Sequence, residues 1–322
     1  MFPAFRTART AHTVRALIAS ALLLGLAACT GGDDDKATDD TNSTVDDGDI
    51  FSEVITLEET LGTDTTGALS CYTPGGEWVS ETPDPSCQVT ADIQGIVEDF
   101  ESEDPVEDAT LEFFYGDIIS GSPDDVMSTD SDGFADGAEA PTCTPVSYRV
   151  STDPDLDETK VTIEAHQIFN AVADGDPIDT TFNSVSSDTY AIIPSLLGIS
   201  VDPEKGIIAG TAYDCDEQEI EGVQVIVRDA NGDYAVDQEV RYFVEDFPNR
   251  DQPYTSEDGL WIAINIPPGR VTVEMWAISG GELVQVAATE LDLVADSINI
   301  SNMKLGYGDG VFYPTDCLSA CD

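Results

Sequence analysis

From about Gly67 onward the chain runs in short segments whose apolar and polar residues alternate, separated by Gly, Pro and Asp clusters, with few long helical periodicities. Alternation sends successive side chains to opposite faces of a strand, so the pattern predicts an all-β protein built of sandwiches. One pattern occurs twice. Ile93, Gly95 and Asp99 are followed by Pro105, Val106, Ala109, Leu111 and Phe113, while Ile208, Gly210 and Asp214 are followed by Ile220, Val223, Val225 and Val227. Each set reads as a strand, a polar turn and a second strand. An acidic turn comes next in each half, Thr129-Asp130-Ser131-Asp132-Gly133-Phe134 and Thr255-Ser256-Glu257-Asp258-Gly259-Leu260. A proline corner and an alternating strand then follow, at Pro145-Val146-Ser147-Tyr148-Arg149-Val150 and at Pro267-Pro268-Gly269-Arg270-Val271-Thr272-Val273. Two tandem copies of one module are the simplest reading, the first in 67–205 with a connector and the second in 206–322 with a tail.

The connector contains Thr189-Tyr190-Ala191-Ile192-Ile193-Pro194-Ser195-Leu196-Leu197-Gly198, which reads as a short helix or turn capped by Ser187 and ended by Gly198. Its apolar density predicts packing between the modules and a fixed orientation of one to the other. Ahead of the first module, residues 29–66 are rich in Asp, Thr, Gly and Ser with few aromatics, the composition of a self-repelling disordered tether.

At these residues the chain resembles the carboxypeptidase regulatory-like, or transthyretin-like, β-sandwich family. The second copy carries the resemblance through Glu219-Ile220-Glu221-Gly222-Val223 and Ile266-Pro267-Pro268-Gly269. The first copy departs at its corner, where Ala140-Pro141-Thr142-Cys143-Thr144-Pro145 has no glycine. The resemblance implies two transthyretin-like or Ig-like sandwiches, and a role as a non-catalytic extension or repeat of an exported or surface protein.

The start of the chain says where such a protein would work. Arg6, Arg9 and Arg15 precede an apolar run from Ala16 to Ala28, and no acidic residue occurs before Asp33. This is a secretory signal, too short to anchor as a spanning helix. Its Leu26-Ala27-Ala28-Cys29 ending resembles the lipobox of bacterial lipoproteins, implying cleavage after residue 28 and acylation of Cys29. Thr30 in place of Asp after that cysteine points to the outer membrane, by analogy with lipoprotein sorting in Gram-negative bacteria. The part after residue 28 then holds all 64 acidic residues against nine basic ones, a formal charge of −55. Arg149, Lys160, Arg228, Arg241, Arg250 and Arg270 are scattered rather than clustered, which excludes nucleic acid and anionic headgroups as partners. The excess suits a strongly solvated surface in saline surroundings.

With Cys29 assigned to lipid, Cys71, Cys87, Cys143, Cys215, Cys317 and Cys321 remain, an even number that reads as up to three disulfides in an exported chain. The turn residues between Cys71 and Cys87 favour a compact loop closed by that pair. Cys317 with Cys321 and Cys143 with Cys215 are the remaining pairings expected. Asp130, Asp132, Asp136 and Glu139 approximate a calcium loop around Gly133. Ser128 stands where its first Asp belongs, and the stretch aligns with the ordinary acidic turn of the second copy, so a structural turn without metal is expected. The single histidine after residue 28, His166, lies in an alternating strand on the face of Thr162 and Glu164 and reads as a solvated or lightly hydrogen-bonded residue rather than a base. No nucleophile elbow, phosphate loop or dinucleotide fingerprint occurs, and neither an enzyme nor a cofactor is expected.

Alternation places Trp261 with Asn265, and Trp276 with Thr272 and Glu274, on the polar faces of their strands. They are the candidate ligand platform, unless the tail or the first module covers them, and burial of at least one is expected. The resulting reading is a non-enzymatic, lipid-anchored envelope protein serving as a structural or adhesive module. A carbohydrate-binding lipoprotein, or an accessory subunit of a secreted enzyme, is the alternative. Partners would be the membrane through the anchor, and an envelope protein or glycan. Replacing Cys29→Ser should move the protein from the membrane to the soluble fraction with a change in gel mobility. Unchanged fractionation and mobility would refute the anchor.

Overall fold

The computed structural model describes residues 56–321 apart from 73–76, 117–118, 120, 156–157, 174, 236–237 and 246. The signal segment, Cys29 and the tether up to residue 55 lie outside the described residues. The rest forms two tandem β-sandwiches. The first comprises β1 (Thr90–Asp99), β2 (Thr110–Tyr115), β3 (Asp125–Ser128), β4 (Phe134–Pro141), β5 (Pro145–Ser151), β6 (Thr159–Ile168) and β7 (Ile178–Ser186). Strand β1 lies between β4 and β7, and this layer faces the layer β6-β5-β2-β3. Ile93, Val97, Leu111, Tyr148 and Val150 fill the space between them. Phe182 stands edge-on to Phe113 and Tyr148, with ring centroids 5.7 and 5.2 Å away.

The second sandwich comprises β8 (Gly206–Tyr213), β9 (Gln224–Arg228), β10 (Glu239–Val244), β11 (Phe247–Asn249), β12 (Leu260–Ile266), β13 (Gly269–Ser279), β14 (Glu282–Leu293), β15 (Ser297–Ile300) and β16 (Met303–Lys304). One layer runs β11-β10-β12-β8-β15, the other β14-β13-β9. Strand β15 belongs to both sandwiches. It pairs parallel with β8, Ile298 opposite Ile207, and parallel with β6, Ile300 opposite Glu164. One sheet therefore runs unbroken from β11 in the second half to β3 in the first.

The repeat read from the sequence reappears as repeated hydrogen bonds. Thr129 Oγ1 accepts from Ala109 N–H and donates to the Val106 carbonyl, and Thr255 Oγ1 does the same with Val223 and Ile220. Strand β7 runs parallel to β1 as β15 runs parallel to β8. The two matched glycines follow from that crossing. A Cβ on Gly95 would lie 1.9 Å from the Thr180 carbonyl oxygen, and one on Gly210 would lie 1.7 Å from that of Ser301.

The connector forms α2 (Ser187–Leu197), following a four-residue α1 (Leu57–Thr60). Ser186, not Ser187, caps α2 by accepting from Thr189 N–H, and Gly198 ends it in the left-handed conformation. Tyr190 and Leu197 of α2 pack with Ile207, Ile262, Ile264, Ile298 and Ile300 on the shared sheet.

Residues 56–66, read above as the end of the tether, are packed instead. Leu57 is fully buried against Ile226 and Ile278 of the second sandwich, and Thr65 N–H donates to the Ile278 carbonyl at 2.9 Å. The contacts come from a few side chains on the single turn of α1 and the loop after it, too short a stretch to leave a periodic signal in an acidic sequence.

Gly210→Ala should lower unfolding free energy by at least about 3 kcal/mol, because a strand must move. Gly232→Ala, which meets nothing within 4 Å, should cost about 1–2 kcal/mol for its positive φ alone. Denaturant titration distinguishes the two, and equal losses would refute the close-packing argument.

Candidate functional site

The six cysteines are all bridged, but not in the pairs expected. Cys71 joins Cys215, Cys87 joins Cys321 and Cys143 joins Cys317, with Cα–Cα separations of 5.5, 5.1 and 5.4 Å. The expected Cys71–Cys87, Cys317–Cys321 and Cys143–Cys215 pairs are therefore corrected. Sequence proximity was the wrong guide, since closure entropy rises only slowly with loop length and the fold itself brings distant segments together. Cys71 sits in the segment that packs on the second sandwich, whereas Cys87, Cys143, Cys317 and Cys321 gather in one cluster around the start of the first.

Of the two tryptophans Trp261 is buried, as expected for at least one of them, and its assignment to a polar face is corrected. Trp261 is 1% exposed and lies between the two layers of the second sandwich with Tyr242, Ala263 and Met275. The alternation in β12 was real, but both faces are covered: Ile262 and Ile264 face the α2 cluster while Trp261 and Ala263 face the sandwich core. Trp276, on β13 of the opposite layer, is half-buried against the Leu57 cluster and donates from Nε1 to Glu274 at 3.1 Å. The Pro267-Pro268-Gly269 corner carries the chain from one layer to the other, so the two indoles never pair.

The acidic turn around Gly133 forms from its own backbone. Asp130 Oδ1 accepts from Asp132 N–H at 2.9 Å and Phe134 N–H at 3.0 Å. Asp136 and Glu139 lie exposed on β4, and among the described residues no group of three or more His, Cys, Asp or Glu is placed to hold a metal ion. Asp99, Asp214 and Asp229 each close a turn in the same way. Basic residues face carboxylates: Arg149 meets Glu112, Arg228 meets Glu274, Lys304 meets Glu217, and Arg270 clasps Asp292 through two nitrogens.

The face of β6 that carries Thr162 and Glu164 is buried. Thr162 is fully covered and Glu164 is 5% exposed. The Tyr148 hydroxyl on β5 donates to Glu164 Oε2, and Asn183 Nδ2 on β7 donates to Oε1 at 3.0 Å. Asn183 N–H in turn donates to the Tyr148 hydroxyl at 3.1 Å. Burial pushes the Glu164 carboxyl up to about 7, opposed by the Asn183 hydrogen bond. Two residues on, His166 adopts a positive φ and its Nε2 meets the Glu290 carbonyl at 2.8 Å, tying β6 to β14. Thr162, Tyr148 and Glu164 are enclosed by strands, and the Tyr148–Glu164–Asn183 arrangement can hold a proton near neutrality. A lone acid in an alternating strand carries no sequence signal for this role.

No protein-family model matches the chain, and no curated protein matches it. Among solved structures it is similar to the Bacillus anthracis TIE protein, at 14% identity over 67% of this chain and 34% of that one, with a TM-score of 0.23. It is similar to BcpA, the major pilin subunit of Bacillus cereus, at 10% identity over 68% and 99% of the two chains, TM-score 0.23. GBS52, the minor pilin of Streptococcus agalactiae, gives 10% identity over 69% and 98%, TM-score 0.21. The chain thus spans 34% of the length of the TIE protein. Superpositions this loose transfer no property.

The buried carboxyl makes stability depend on pH. Its folded value of about 7 stands above the 4.5 of an accessible glutamate, so the native state holds the proton more tightly. That contribution is complete below the unfolded value and is lost as pH rises through about 7, a loss of about 3 kcal/mol. Glu164→Gln should remove this slope and leave the variant the more stable of the two at pH 8. Denaturant titrations from pH 4 to 8 would show it, and parallel curves for both proteins would refute it.

Proposed function

We propose that this chain is a non-enzymatic, lipid-anchored protein of the cell envelope, a structural or adhesive module held to the outer membrane through acylated Cys29 and the acidic tether. One observation carries the reading: the two ends of the described chain cross. The leading segment packs on the second sandwich and is bridged there by Cys71–Cys215, while the tail returns to the first sandwich and is bridged by Cys143–Cys317 and Cys87–Cys321. A pull arriving through the tether therefore meets a covalently closed body rather than a peelable strand. The bridges close loops spanning 144, 234 and 174 residues, and each alone would restrict the unfolded chain by about 5 kcal/mol. Such bridges persist in oxidising surroundings outside the cytosol, in keeping with the secretory signal.

The surface supports the same reading. Among the described residues most carboxylates that form neither turns nor ion pairs are exposed, so a dense negative shell keeps neighbouring copies and anionic lipids apart. The tether, of like charge, stands the body off the membrane.

Single-molecule pulling between the tether and residue 322 tests the closed body. With bridges intact, the covalent path from residue 56 runs to Cys87 and across to Cys321, about 30 residues or about 110 Å. After reduction the same pull should release about 900 Å. An oxidised chain that extends as far as the reduced one would overturn the closed-body reading.

A further inference from the structure

Trp78 is absent from the platform expected in the sequence, yet it has the geometry that Trp261 lacks. It lies between Cys71 and Cys87, so the segment bearing it is tied to the second sandwich on one side and to the tail on the other. The next residue is also fixed: Val79 N–H donates to the Gly306 carbonyl at 2.8 Å, and Val79 bridges in parallel to Tyr307. The indole lies on bare backbone. A Cβ added to Gly308 would fall 2.3 Å from Trp78 Cδ1, 2.4 Å from Cγ and 2.6 Å from Nε1, so only a glycine lets the ring settle there. Trp78 nonetheless remains 40% exposed. A ring set against the chain on one side and open on the other is a pre-organised platform, whose order is already established before a ligand arrives.

The surroundings narrow the ligand. Tyr307 and Phe312 meet edge-to-face beside it, with centroids 5.8 Å apart, but Lys304 Nζ already stands 5.5 Å from both rings. The cationic position of that pair is thus filled from within, and what Trp78 offers is a single flat face rather than a cage for an ammonium group. Glu81 accepts from the Tyr307 hydroxyl and from Tyr313 N–H, both at 2.9 Å, and exposed Asp309 adjoins Gly308. Carboxylates accept several hydrogen bonds each, so Glu81, three residues on from Trp78, and Asp309, next to Gly308, keep capacity for further donors. A pyranose ring matches both features: its axial C–H bonds lie flat on an indole, and its hydroxyls donate to carboxylates. The net charge of −52 turns away anionic glycans.

We propose that Trp78 is the stacking platform of a carbohydrate-binding site for neutral polysaccharides, with Asp309 and Glu81 accepting hydrogen bonds from sugar hydroxyls. The site goes beyond the reading of a structural module and does not rest on it, because its binding is read in a gel with no force applied through the tether.

The test is native affinity electrophoresis of the full chain in gels containing hydroxyethyl cellulose, xylan or galactomannan, with dextran sulfate as the anionic comparison. At least one neutral polymer should retard the protein and dextran sulfate should not. Trp78→Ala should weaken the retardation at least about ten-fold, and Trp276→Ala should leave it unchanged. Asp309→Ala provides a second variant should Trp78→Ala fold poorly, and it should weaken binding without altering the melting temperature. In wild type the bound polymer should shield tryptophan emission from acrylamide. No retardation by any neutral polymer, wild-type retardation of Trp78→Ala, or Trp78-dependent binding of tetramethylammonium instead of sugar would each overturn the proposal. Failure here leaves the pulling result untouched, and the reverse also holds.

Discussion

Four residues, Ser297 to Ile300, make the two sandwiches one object. A parallel pair cannot be closed by a tight turn, so each neighbour of β15 must be brought to it by the rest of the fold. Its register against β6 and β8 satisfies its backbone on both edges and buries all four residues. Both faces are then specified. Ile298 and Ile300 enter the α2 cluster, while Ser297 and Asn299 turn to the other side, where Ser297 Oγ donates to the Val294 carbonyl and Asn299 Nδ2 to that of Asp292. Removing β15 would open the edges of β6 and β8 at once and strip the floor from under α2. The fixed seam is thus a consequence of strand pairing rather than of loose contact between two domains.

The crossing of the termini follows from that seam. With the halves fused side by side, the leading segment can lie along β13 of the second half, and the tail can reach back over the first. The disulfides then close what packing has already brought together. Cys143 and Cys317 are both buried, which shields their bridge from solvent-borne thiols, whereas the Cys87–Cys321 bridge has one sulfur at the partly exposed Cys321. The same crossing places Trp78 against Gly308, joining an N-terminal loop to a C-terminal one.

How much of this was legible depends on how local the cause was. The sandwiches and their repeat were written in alternation and in the matched glycines, because each strand carries its own period and Gly95 and Gly210 answer to the same steric demand. The face assignments were not. Alternation reports two faces but cannot say that both are buried, so it assigned Trp261 to a polar face that the facing layer covers and gave no sign that Glu164 lies enclosed beside β5 and β7. Disulfide pairing and the packing of residues 56–66 are long-range outcomes with no period at all. Trp78 stood beside turn residues in an irregular loop, and nothing short of the tail's position could distinguish it from a scattered surface aromatic.

The acid excess, finally, is not one feature but three. At Asp99, Asp130, Asp214 and Asp229 a carboxylate replaces backbone partners and sets a turn, and this role needs the charge only for stronger acceptance. On the surface the carboxylates act together, as a field that salt screens. Glu164, a buried acid that neither sets a turn nor meets a cation, is held by Tyr148 and Asn183, and burial favours its neutral form. A sequence reading that counts acids treats them as alike; burial and hydrogen bonding divide them. Salt therefore acts on the surface carboxylates and pH on the buried one, so the two variables address different parts of the same molecule.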